Sequence, residues 1–257
     1  MKRTIKSAAA VMAAVMAMSC ASATAFADSA KANDFIIVDA TNEIQGGWNI
    51  NTSSTAMSKN AKAKAAFEKV TENINGVTYE PIAVLGTQVV SGSNYAVLCR
   101  KTPSNPSAAS EVVVMYIYDS LDGSAKVTGF KTVIDESDKD GYTVNDGKFA
   151  ISNRKNRTVY NTYRKAVKEV SGVTYKPVLY MGKRKESGSS YMILCRSKAV
   201  SPDAEYQWSI VTVNKSASGN AKLTGTKNLT LGETNGNNYT DDSGNSSDEF
   251  IRVDIEP

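Results

Sequence analysis

Catalysis and metal binding need particular side chains close together, and this sequence holds few of them. It has no histidine in 257 residues. That removes Cys-His and Ser-His-Asp activation of a nucleophile and every imidazole metal site. The acids are scattered, and no motif frames a carboxylate pair for general acid and base work. Cysteines stand at 20, 99 and 195. Cys99 and Cys195 read as small buried apolar residues, since two are too few for a disulfide framework. No catalytic residue, metal ligand or cofactor is expected, and the chain reads as non-enzymatic. What remains is contact chemistry. The stretch Gln88-Val89-Val90-Ser91-Gly92 puts two β-branched apolar residues in front of a Ser-Gly turn signal.

The elements that hold that stretch come in two copies. At an offset of 96, residues 76–101 match residues 172–197 at 13 of 26 positions without a gap. The match resumes where residues 124–129 meet residues 220–225. Upstream, Ala63, Phe67, Val70 and Ile74 recur at helical spacing, as do Val159, Tyr163, Ala166 and Val170. Each copy predicts a short strand near Trp48 or Phe149, then a helix over roughly 56–73 or 153–169, ended by Gly76 or Gly172. A long extended segment follows at 77–90 or 173–186, then a tight turn and three more strands. One apolar helical stripe must be buried on a sheet face. The expected fold class is therefore α+β: two modules, each one helix packed across a four- to five-stranded antiparallel sheet.

The predicted organisation is a signal peptide at 1–27, an N-terminal segment at 28–45, module one at 46–135, a linker at 136–141, module two at 142–231 and an acidic low-complexity tail at 232–257. Lys2, Arg3 and Lys6 precede an apolar run, and Ala25-Phe26-Ala27 is a processing site, so cleavage after Ala27 and secretion are expected from this bacterial-type leader. The alternative is lipid attachment at Cys20, disfavoured because Ala17 stands where a larger apolar residue is usual. No later segment is apolar enough to span a membrane. Charge is uneven: residues 142–231 carry 16 Lys/Arg and 5 Asp/Glu, residues 46–135 carry 8 and 7, and residues 232–257 carry 1 and 7.

The order of helix, long strand, tight hairpin and second strand resembles the cystatin fold. The specific residues are Gln88, Val90 and Gly92, which fill the Gln-x-Val-x-Gly pattern of the cystatin hairpin, and Gly46-Gly47, which resemble the glycine element ahead of the first strand. That resemblance implies a reversible inhibitor of papain-like cysteine proteases. An N-terminal glycine segment, the hairpin and a later hairpin would enter the protease cleft as a wedge with no reactive side chain. The residues carried over are Gly46, Gly47, Gln88, Val89, Val90, Ser91 and Gly92. The later hairpin departs from the family: many secreted cystatins have Pro-Trp there, whereas residues 119–125 of this chain hold neither proline nor tryptophan.

Other readings of the same residues stay open. Ser-Gly is ordinary hairpin chemistry and both copies keep it, so Gln88, Val89 and Val90 also read as plain strand residues. The second copy replaces them with Arg184, Lys185 and Glu186. Together with Lys183, Arg154, Lys155 and Arg157, the cations among these make a candidate surface for an anionic partner. The alternative function is thus a secreted or surface-associated module that binds a protein, an anionic wall polymer or a glycan and inhibits no protease. A solvated face is the plain reading of the same cations. No nucleic-acid partner is expected, and the chain reads as a monomer or weak oligomer.

Overall fold

Every strand pairs with its neighbour in sequence, so the chain builds simple meanders. The computed structural model describes residues 47–136 and 141–234. The leader, the segment 28–45, Gly46, positions 137–140 of the expected linker and all but three residues of the acidic tail lie outside them. The first half contains β1 (Asn49–Ile50), α1 (Ala61–Thr71), β2 (Val77–Val90), β3 (Gly92–Pro103), β4 (Glu111–Ser120) and β5 (Ala125–Asp135). The second contains β6 (Thr143–Val144), α2 (Arg157–Ala166), β7 (Val173–Glu186), β8 (Gly188–Ala199), β9 (Gln207–Lys215) and β10 (Ala221–Asn228). They form two five-stranded antiparallel sheets, in the orders β1-β2-β3-β4-β5 and β10-β9-β8-β7-β6. The strand expected near Phe149 lies earlier, at β6, and Ala150 makes only an isolated bridge to Leu179.

This architecture overturns the expected α+β class of two modules, each built as a helix across a sheet. Strand dominates, the helices are 11 and 10 residues long, and the largest buried cluster lies between the two sheets. The reason is written in β4. Positions 112–117 hold six consecutive apolar side chains, all buried. A strand covered on one face alternates apolar with polar, whereas a continuous run needs cover on both. Val113, Met115 and Ile117 pack with Ala63, Ala66 and Phe67 of α1. Val112, Val114 and Tyr116 belong instead to a cluster that includes Leu194, Trp208 and Ile210 of the second sheet. The sheets therefore share the largest core, and each half adds a smaller cluster between its sheet and its own helix. Two glycines mark the closeness of the halves. A Cβ on Gly86 would lie 2.6 Å from Leu231 Cδ1, and one on its repeat equivalent Gly182 would lie 3.1 Å from Ile134 Cδ1.

The connection between the halves is tied down at both ends of the described part. Glu136 accepts the Val144 N–H at 2.6 Å and the Ser110 N–H at 3.1 Å. Tyr142 and Val144 then enter the shared core. After β10 the chain crosses back to the first sheet. Leu229 and Leu231 are buried in that core, Gly232 backs onto the Trp48 indole, and Lys131 reaches the Thr230 carbonyl at 3.2 Å and the Glu233 carboxylate at 2.6 Å. This strap of 229–234 begins before the boundary at which the sequence turns acidic.

Candidate functional site

β2 and β3 meet at Ser91, with Val90 paired to Gly92 across the tip. Alternation along β2 then sorts the side chains. Gln88 points to the face shared by the sheets, is only 6% exposed, and accepts the Asn94 amide at 2.8 Å. Val89 turns the other way and is 73% exposed. Val90 is half-buried and Ser91 exposed, and the Tyr118 hydroxyl donates to the Ser91 carbonyl at 2.5 Å. Gly92 has φ +128°, and a Cβ there would lie 2.4 Å from the Asp119 carbonyl oxygen. Its repeat equivalent Gly188 has φ +119°, with Lys215 O at 2.1 Å from the same hypothetical atom. Both copies keep glycine because the neighbouring strand leaves no room for a side chain and the backbone is in the region glycine favours. That explains Ser-Gly without any partner and leaves Val89 as the residue the fold does not need.

The β4–β5 turn lies at the same end of the first sheet, since Gly92 pairs with Ser120. Leu121 in that turn is 84% exposed. Two strand spacings, about 10 Å, separate β2 from β4, so Val89 and Leu121 flank one edge. The turn is braced: Lys69 donates to the Gly123 carbonyl at 3.0 Å, and the Ser124 N–H donates to Asp122 Oδ1 at 2.8 Å. Hydrogen bonds from Ser124 hold the Asp122 carboxyl below its ordinary pKa. Sequence reasoning passed over Leu121; its signal was a leucine between Ser120 and the turn formers Asp122 and Gly123. In the second half the equivalents of Val89 and Leu121 are Lys185 and Ala217. Of the glycine pair, Gly47 is exposed and Gly46 lies outside the described residues.

The basic residues sit at two levels of the second half. Lys183 pairs with Thr143 near the β7–β8 tip, and Lys183 and Lys185 are exposed. Arg184 is half-buried, its guanidinium 4.9 Å from the Tyr142 ring centroid. Arg154, Lys155 and Arg157 are exposed where the chain enters α2, beyond the Ala150–Leu179 bridge. Four residues of β7, about 13 Å of strand, part that bridge from the Lys183 pair. The basic tip and the basic helix start are thus reached from different levels of the sheet.

Cys99 and Cys195 are free and buried, each in the cluster on its own sheet's helix side. Burial raises the Cys99 thiol pKa strongly and pushes that of Cys195 up to about 12. Burial keeps both thiols protonated near neutral pH and away from solvent. Among the described residues no helix is long and apolar enough to cross a membrane.

In comparisons with known proteins, no family model matches the chain and no curated protein matches it significantly.

Proposed function

We propose that the protein is a non-enzymatic, exported binding protein that blocks papain-like cysteine proteases reversibly with the edge formed by the β2–β3 tip and the β4–β5 turn. The observation that supports this is the presence of two exposed apolar side chains, Val89 and Leu121, at the same braced end of one sheet. Exposed apolar residues gathered on a narrow edge suit a cleft that desolvates them. The second half keeps the turn but replaces both with Lys185 and Ala217, so the fold does not require them. The helix-and-sheet part of the cystatin resemblance falls with the expected fold class, so the reading is supported by the hairpin residues alone. The edge needs no nucleophile: it excludes water and substrate from the protease cleft, with Val89 and Leu121 as the apolar contacts.

The test is titration of several papain-like proteases with the exported full-length protein. Reversible, competitive loss of activity at micromolar concentration or below is the expected result. Val89→Asp should weaken inhibition tenfold or more, about 1.4 kcal/mol at least, because it buries an unpaired charge in the contact. No inhibition of any protease by the folded protein would end this reading.

A further inference from the structure

The outer face of α2 carries cations that have no acidic partner among the described residues. α2 turns Val159, Thr162 and Tyr163 inward and packs against β9 and β10. Outward lie Arg157, Arg164 and Lys165, with Lys168 in the turn that follows, all exposed. Arg154 and Lys155 extend the row upstream. Among the described residues none of these six has an ion pair. Glu169 is the one acid within 154–169, against six cations.

The repeat supplies an internal control. The positions of Arg157, Arg164 and Lys168 are held in the first half by Ala61, Glu68 and Glu72. There Glu68 pairs with Lys64 at 2.6 Å. The same helix on the same kind of sheet therefore forms with alanine and glutamate at these places. The helix dipole favours Arg164 and Lys165 in the last turn but disfavours Arg157 in the first, so helix stability gives no reason for Arg157.

We propose that this face binds a linear phosphate polymer that carries no bases. From Arg157 to Lys168 the row runs about 16 Å along the helix, long enough to meet several successive phosphates. Charge complementarity selects a polyanion. The face lacks the stacking rings that single-stranded nucleic acid uses: Tyr160 is half-buried with Arg164 6.0 Å from its ring, and the exposed aromatic among the described residues, Tyr206, belongs to the β8–β9 loop.

The test uses the full-length protein and labelled inorganic polyphosphate, followed by fluorescence anisotropy over a range of salt. Wild type should bind at low salt and release at a few hundred millimolar. The exchange Arg157→Ala, Arg164→Glu and Lys168→Glu writes the first-half residues into α2. It should weaken binding tenfold or more and reduce the salt slope by about three contacts' worth. Unchanged affinity and slope in that folded variant would overturn the proposal. If that variant loses its fold, the reverse exchange Ala61→Arg, Glu68→Arg and Glu72→Lys decides: a gain of several-fold supports the face, and no gain overturns it. Single-stranded DNA that competes better than polyphosphate at equal charge would overturn the base-free assignment. The protease-binding edge shares no residue with this face, so the two readings fail separately.

Discussion

Trp208 of the second sheet donates its indole N–H to the Leu85 carbonyl of the first at 2.8 Å, with the ring fully buried. The carbonyl is free to accept because the β2–β3 register shifts between Val84 and Gly86, and it takes the Asn51 N–H at 2.8 Å as well. A single side chain thus ties the halves by both packing and a hydrogen bond. Trp208→Ala should cost about 3–5 kcal/mol, from lost burial and the cavity left behind. Unfolding by urea should remain one transition, with far- and near-ultraviolet circular dichroism coincident. Two separated transitions in the wild type would show that the halves keep independent cores.

The hairpin glycines give a second expectation. Gly188→Ala places a Cβ 2.1 Å from the Lys215 oxygen at φ +119°, and Gly92→Ala does the same 2.4 Å from the Asp119 oxygen. Each should destabilise by about 1–3 kcal/mol, the cost of a strained backbone position plus displacement of the next strand. Val89→Ala, on an exposed side chain, should stay within about 0.5 kcal/mol. A shift in the urea midpoint for Val89→Ala as large as that for the glycines would mean that the tip valine has a structural role.

Much of this was legible in sequence, and the misses have physical causes. The repeat, the long hairpin strands and the turn at Ser91-Gly92 follow from periodicity and turn chemistry. The partner of each sheet did not follow from the helix stripe, because a stripe says only that some face is covered. The decisive signal was the unbroken apolar run at 112–117, which demands cover on two faces. Leu121 does not stand out because the turn formers Asp122 and Gly123 beside it dominate the local pattern. The crossing of 229–234 to the first sheet is not legible because Leu229 and Leu231 alternate with Thr230 and Gly232 next to an acidic stretch, a pattern too short to stand out. The register shifts at Leu85 and Met181 leave no mark in composition at all.

Alkaline pH should loosen the protein from within. Burial pushes Cys195 up to about 12 from an ordinary 9.0, and raises Cys99 as well. It also pushes Tyr116 and Tyr180 up to about 12 from an ordinary 10.0. These groups stay protonated when folded and lose protons when unfolded, so their stabilising effect is complete below pH 9 and falls as pH rises toward 12. The urea midpoint should therefore decline from about pH 9 upward. In Cys99→Ala/Cys195→Ala the decline should start about one unit later, when the tyrosines take over. An unchanged onset in that variant would mean that the thiols open to solvent before the fold is lost.

The strap provides the last test. The Lys131 side chain is 11% exposed, and Glu233 is its partner at 2.6 Å while being 53% exposed itself. Removing the charge of Glu233 leaves a largely buried ammonium with only the Thr230 carbonyl, at 3.2 Å, as a described acceptor. Breaking one side of such a pair is the costly change, whereas replacing the buried partner with an apolar chain of similar length removes the problem. Glu233→Gln should therefore destabilise by about 1–3 kcal/mol, read as a fall in the urea midpoint. Lys131→Met should be close to neutral. In the double variant Glu233→Gln should have almost no further effect, so the cycle should show strong coupling. If Glu233→Gln costs as much in the Lys131→Met background as in the wild type, the strap is held by Leu229 and Leu231 alone, and the ion pair is incidental to it.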